Sequence, residues 1–406
     1  MRALGQQLRD WDSVGPGFDA VRVSLALLVV AYHSPWVVGL GHEALGPFWL
    51  AGELIVPAFF VVSGFLVTAS AARLDAWQFV IHRILRIMPA FTLMIAVSAL
   101  LVGPVLTTLP LQDYFSSPQL GRYFLELVGA SPSNLPGVFD NNRGTTTFNM
   151  SVWSIRWEVG CYLFVAAAAT LGLVRRPRLL LVAAVAIIVV PPLLYLALYA
   201  GLIGGGSEEA RRLVTPDGFF WYQPIEQVLR GRTGVGMWFA ALLVNWIFRG
   251  VPFFFAGVAA YICRDKILYS RAAAIAAAAI IGLASALCPE TWNNPLVYFA
   301  MALPLTIVVL TLGLSPLSLP LPFRNGDYSY GIYLFAFPVQ QMLAQCGADR
   351  GEWALNAMLT MPIATILAIF SWHFVEQPML ATKSVIAGRF KGNRMVAQRL
   401  VPASSG

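Results

Sequence analysis

Charge is what this 406-residue chain has least of. Asp, Glu, Lys and Arg make up only 12% of it, against about 25% in a soluble globular domain. Several stretches near twenty residues carry almost none, which excludes a soluble fold and points to an all-α, polytopic membrane bundle. The four cysteines (Cys161, Cys263, Cys288 and Cys346) lack metal-ligand spacing. They are expected to be small buried apolar side chains, with no metal site. No internal repeat is visible, which removes support from an inverted-repeat transporter. The polar stretch before the first apolar run contains acids and no small-residue cleavage site, so no signal peptide is expected. The net charge of +7 is not a nucleic-acid signal, because the basic residues gather in particular loops.

What the chain does have is hydrophobic length: 58% of its residues are hydrophobic. About ten spans are expected, over 21–40, 49–71, 88–109, 152–173, 179–200, 236–263, 271–288, 295–313, 328–345 and 354–375. Arg249, Gly250 and Pro252 interrupt the sixth. Every second loop is basic, with groups at Arg2 and Arg9, Arg73 to Arg86, Arg175 to Arg178, Arg264 to Arg271, Arg324, and Lys383 to Arg399. This alternation places both termini in the cytoplasm. It gives a cytoplasmic segment 1–20, a transmembrane domain 21–378 and a basic cytoplasmic tail 379–406. The two long loops, about 110–151 and 201–235, fall outside and are rich in Gly, Pro, Asn and aromatics. Such loops line binding sites or are surface insertions.

Against this background a few polar residues stand out. Arg22 and His33 share the first span with ten residues between them. Eleven helical positions make about three turns, so both side chains leave one face, about 16 Å apart. An ionisable group near the membrane centre costs roughly 2.5–3.5 kcal/mol. Arg22 can snorkel to the headgroups, whereas His33 is too deep to do so and needs a partner or a task. Counting from the span ends puts Glu158 at the depth of His33. A carboxylate there either orients the imidazole as a general base or locks two helices together. Ser63 and Gly64 are small and follow Pro57, which suits either a thin ligand or plain helix packing. Arg83 and Arg86, read as lying in a loop, share a helical face suited to phosphate or to anionic lipid. Tyr330 and Tyr333 fit a tunnel wall and an interfacial belt equally well. Glu376 is expected near the inner surface, balancing charge on the basic face. A proton-coupled transporter using His33 and Glu158 as a relay is the rival from another class.

In this order the segments resemble acyltransferase family 3, membrane proteins that O-acetylate bacterial surface glycans. The likeness runs through Asp19 to His33, Phe59 to Phe65, Arg83 and Arg86, Trp153-Ser154 with Glu158, Tyr330 to Pro338, and Phe374 to Pro378. It implies a multi-pass protein of the bacterial inner membrane that moves an acyl group, expected to be acetyl. The donor is acyl-coenzyme A (acetyl-CoA) on the cytoplasmic side, and the acceptor is a sugar hydroxyl on the outer side. By the same resemblance His33 is catalytic, Arg22 supports it, and Arg83 and Arg86 contact the donor; Glu158, paired with His33 by the depth count, is expected to complete the catalytic set. Ser63, Gly64, Tyr330 and Tyr333 are grouped with the donor site. One departure is Ala336, where the family often has a histidine. No stretch reads as the fused esterase-like domain of some relatives, so the acceptor is expected to be met within the bundle or through a partner.

Overall fold

The computed structural model describes residues 2–11, 15–129, 134–200, 250–287, 295–320 and 323–383. The loop 201–235, the first half of the sixth span, Cys288 and the tail beyond Lys383 lie outside the described residues. The fold is helical. Its main elements are α1 (Leu4–Asp10), α2 (Phe18–Val37), α3 (Ile55–Ala71), α4 (Ala76–Val97), α5 (Trp153–Thr170), α6 (Pro177–Tyr199), α7 (Val251–Ile262), α8 (Arg271–Leu287), α9 (Ala302–Gly313), α10 (Ser329–Gln345) and α11 (Trp353–Ser371). Among the described residues five helical stretches are long and apolar enough to cross a membrane: Phe18–Val37, Ala44–Ala71, Ala76–Leu106, Leu296–Gly313 and Trp353–Ala381. Three shorter apolar helices accompany them.

The first strand, β1 (Arg2–Ala3), pairs antiparallel with β2 (Leu268–Tyr269). Arg9 bonds Asp265 at 2.8 Å, so the N-terminal segment is tied to the loop between α7 and α8. Two of the predicted inside groups thus share one end of the bundle, called here the basic end. The third helix packs on α7 backbone to backbone. A Cβ on Gly64 would collide with the Phe254 carbonyl, and one on Gly257 with that of Val61. Gly64 therefore serves this helix contact, as small residues do in membranes.

Two departures from the expected layout position the site. First, α4 begins at Ala76, not near 88, so Arg83 and Arg86 stand on a helix inside the bundle. Its start is a capping box: the Asp75 carboxylate accepts from the Gln78 N–H at 2.8 Å, and the Gln78 side chain reaches back to the Asp75 N–H. This satisfies two orphan donors that a run of polar residues would otherwise leave open. Second, the chain entering α5 is buried. Phe148, Asn149, Ser151 and Val152 are all buried. Irregular backbone at this depth must find partners in the protein, and α10 supplies them. Gln341 donates to the Thr145 and Thr147 carbonyls at 2.8 and 2.9 Å, and Tyr333 donates to the Ser151 carbonyl at 2.8 Å. Asn149 donates to the Leu334 carbonyl at 2.8 Å. Cys161 is buried as expected, but Cys263 is half-buried and Cys346 exposed, because both follow helix C-termini.

Candidate active site

At the basic end, four charged side chains from separate segments neutralise one another. Asp327, just before α10, bonds Arg22 of α2 at 3.0 Å and Arg86 of α4 at 2.6 Å. Arg86 also reaches Glu376 at 2.8 Å, and Ser371 donates to the same carboxylate at 3.0 Å. A π-helical turn over Trp372–Glu376 carries Glu376 there, a device frequent at functional sites. Burial opposes the charge on Asp327. The Arg22 and Arg86 guanidiniums, helped by Ser329, outweigh it and hold the carboxyl at about 2. Arg22 is additionally paired with Asp19.

Arg83, one turn from Arg86, is placed differently. It meets no carboxylate among the described residues. Its guanidinium lies over the Phe79 and Tyr162 rings at 5.7 and 5.6 Å, and its buried Nε has no hydrogen-bond partner. Burial, and then the Arg83 and Arg86 charges, push Lys383 below the ordinary lysine value. The rim therefore holds positive charge beyond what its carboxylates cancel.

Above this rim is a narrow cavity of about 130 Å³, whose walls include Arg22, Arg83, Arg86, Ser63, Glu158, Tyr162, Tyr330 and Tyr333. Glu158 accepts hydrogen bonds from Ser63 at 2.8 Å and from Tyr162, not from His33. The depth count that paired Glu158 with His33 assumed that α5 starts at the surface. Because its entry is buried, Glu158 is carried further toward the basic end. Tyr162, which the sequence reading did not single out, lies four residues after Glu158 and so shares its helical face. Tyr330 and Tyr333 form one wall of the cavity: Tyr330 donates to the Ile87 carbonyl at 3.1 Å, and Ser154 bonds Tyr333 at 2.8 Å. Gly64 does not line it.

His33 lies just above the cavity. It is 7% exposed, and its ring packs edge-on against Phe337 at 5.3 Å and beside Tyr32 at 5.6 Å. One turn below, Val29 packs with Tyr333, which is itself one turn below Phe337 on α10. His33 therefore stands about 6 Å beyond the end of the cavity along the bundle axis. Its ring faces protein rather than lipid. Beyond it, Gln340 donates to Ser34 at 2.7 Å and to the Val30 carbonyl at 2.8 Å, while Asn356 donates to Asp349 at 2.9 Å.

Fold and site together define a helical membrane-type bundle, with an imidazole buried above a cationic cavity. The chain belongs to acyltransferase family 3: the family's acyltransferase domain matches residues 16–373. It is similar to an O-acetyl transferase of Shigella phage Sf6, with 24% identity over 369 residues covering 90% of this chain and 96% of the relative. It is also similar to nodulation protein 10 of Rhizobium leguminosarum bv. viciae, with 27% identity covering 92% of this chain and 95% of the relative. No solved structure matches it. The protein is an acyltransferase, and the proton-relay transporter is set aside by family membership and by the separate partners of Glu158.

Proposed function

We propose that the protein transfers an acetyl group from acetyl-coenzyme A, held at the basic end, to a saccharide hydroxyl that arrives from the far end. The observation that carries this reading is the course of the cavity, from the carboxylate-free Arg83 at the rim to Tyr333, one turn short of His33. Arg83 and Lys383 would hold the donor phosphates by charge-assisted hydrogen bonds. Lys and Arg favour the cytoplasmic side, which sets the basic end and both termini inside, in a multi-pass protein of the bacterial inner membrane with about ten spans. The phage relative, an O-acetyl transferase, favours acetyl as the group moved.

In the proposed step, His33 takes the proton from the saccharide hydroxyl as that oxygen bonds to the thioester carbonyl carbon. The C–S bond breaks, coenzyme A leaves as thiolate, and the proton on His33 returns to the sulfur. Ser63 is held by Glu158 and lines the path of the thioester. It is placed to orient the donor rather than to serve as a free oxyanion donor. The test is acetyl transfer by the full chain in lipid nanodiscs. His33→Ala should reduce transfer by about 10²–10⁴-fold while coenzyme A still binds. Transfer by His33→Ala at the wild-type rate would reject the mechanism.

A further inference from the structure

A second cavity, of about 470 Å³, opens at the far end between the α2 C-terminus, the α10 C-terminus and the segment entering α5. Its size falls within the roughly 300–1,000 Å³ of small-molecule sites, whereas the cavity below His33 is narrow. Its position is fixed by helix register. Val37 of α2 lines it and is one turn beyond His33, on the same face. Ala344 of α10 lines it as well, two turns beyond Phe337.

The backbone around this cavity is strained. Among the described residues two non-glycines adopt positive φ, Phe139 (φ 63°) and Arg350 (φ 54°), and both line it. Such conformations cost of order 1–3 kcal/mol and gather at ligand sites. Phe139 is buried and stacked on Phe148, which anchors the loop and leaves Asp140, Asn141 and Arg143 directed at the cavity. On the opposite wall Asp349 is 3% exposed. Its carboxylate accepts from the Gly351 N–H and from Asn356, each at 2.9 Å. A carboxylate offers about four acceptor positions, so roughly half its capacity stays open. Two acids face two arginines, and amides lie between them. That mixture suits vicinal hydroxyls on an uncharged ring better than a phosphate or an ammonium group.

We propose that this cavity seats one neutral, polyhydroxylated sugar unit of the acceptor, with Asp140, Asn141, Arg143 and Asp349 gripping its hydroxyls and one further hydroxyl directed at His33. The assignment rests on the transferase reading above. Asp349 reaches His33's helix through Asn356, which accepts from Ser34 at 3.2 Å, so one hydrogen-bond chain links the cavity wall to the residue next to His33.

The test uses the full chain in nanodiscs, acetyl-coenzyme A, and methyl glycosides of common hexoses and deoxyhexoses as probes. Coenzyme A thiol release is read together with the mass of the glycoside. Asn141→Ala and Arg143→Ala should each raise the glycoside KM at least tenfold with an unchanged KM for acetyl-coenzyme A. Arg122→Ala, on an exposed helix away from the cavity, should match wild type. Wild-type glycoside KM in both cavity variants, or an equal rise in both KM values, overturns the proposal. Wild-type protein that cleaves acetyl-coenzyme A but acetylates no glycoside overturns the sugar assignment alone. Wild-type protein that neither binds nor cleaves it overturns the transferase reading beneath.

Discussion

The basic end and the far end of the bundle hold their helices together with different chemistry. At the basic end the links are ionic: Arg22 and Arg86 against Asp327 and Glu376, with Glu376 only 1% exposed. At the far end they are mostly neutral: Ser34, Gln340, Gln341, Asn142 and Asn356, closed by the single carboxylate of Asp349. On the proposed reading, ionic links suit the donor end, because they fix arginines in place and leave a neighbour, Arg83, unneutralised. On the same reading, amide links suit the acceptor end. They satisfy buried backbone without creating a field that would attract ions. The same comparison separates two arginines of one motif. Arg86 is committed to two acids, whereas Arg83 is committed to none.

The largest expected effect tests that division. Arg86→Gln leaves Asp327 and Glu376 partly uncompensated, and breaking a buried pair from one side costs about 3–5 kcal/mol. The partial exposure of Arg86, 20%, favours the lower figure. Thermal denaturation in nanodiscs should show a marked loss of stability. Arg83→Gln should hold the wild-type midpoint and weaken coenzyme A binding by about 10- to 100-fold, the worth of a charge-assisted hydrogen bond. If both variants lost stability equally, the distinction between them would fail.

The next effect is pH-dependent and confined to the basic end. Asp327 sits at about 2 in the folded protein, against an ordinary value of 3.8. A depressed carboxyl stabilises the fold above its unfolded value, and that contribution is lost as pH falls through the folded one. The window therefore runs from about pH 4 down to about pH 2, and the shift corresponds to about 2 kcal/mol. Wild type should lose stability across that window on this account, and Asp327→Asn should lose less. Identical pH profiles would remove Asp327 from the network's energetics.

The same contrast governs what could be read from the sequence. Apolar length was legible, because hydropathy depends on nearly every residue of a span. The start of α4 was not, because Trp77, Gln78, His82, Arg83 and Arg86 read as loop, although Asp75 with Gln78 three residues on is a capping signal. The partners of Glu158 were half legible. Tyr162 is four residues away on the same helix, and that spacing could have found it. Ser63 comes from another helix and could not be found in this way. The buried entry to α5 was illegible, since its depth is set by Gln341, Asn149 and Tyr333, whose partners lie about 180 to 200 positions away in sequence. Arg83 lines the cavity and His33 lies just above it, while the carboxylate of Glu158 bonds Ser63 and Tyr162 rather than His33.

The smallest expected effect belongs to the far end. Ser34→Ala removes one hydroxyl that accepts from Gln340 and shares its proton between the Val30 carbonyl at 2.9 Å and Asn356 Oδ1 at 3.2 Å. Gln340 keeps its bond to the Val30 carbonyl at 2.8 Å, and Asn356 keeps its bonds to Asp349 and to the Gln340 carbonyl. Only the Asn356 Oδ1 loses its donor, so the loss should be about 1 kcal/mol, the low end for one buried acceptor left open. It should also be the same in low and high salt, because no charge is removed, whereas the destabilisation by Arg86→Gln should change with ionic strength to the extent that solvent reaches the pair. A double cycle of Ser34→Ala with Asn356→Ala, read by thermal denaturation, should return a coupling of about 0.5 kcal/mol or more, since the two side chains are in direct contact. Additive losses would mean that the hydroxyl serves only its own helix, through the Val30 carbonyl. The chain from Asp349 to the helix of His33 would then be a geometric coincidence and not a mechanical link.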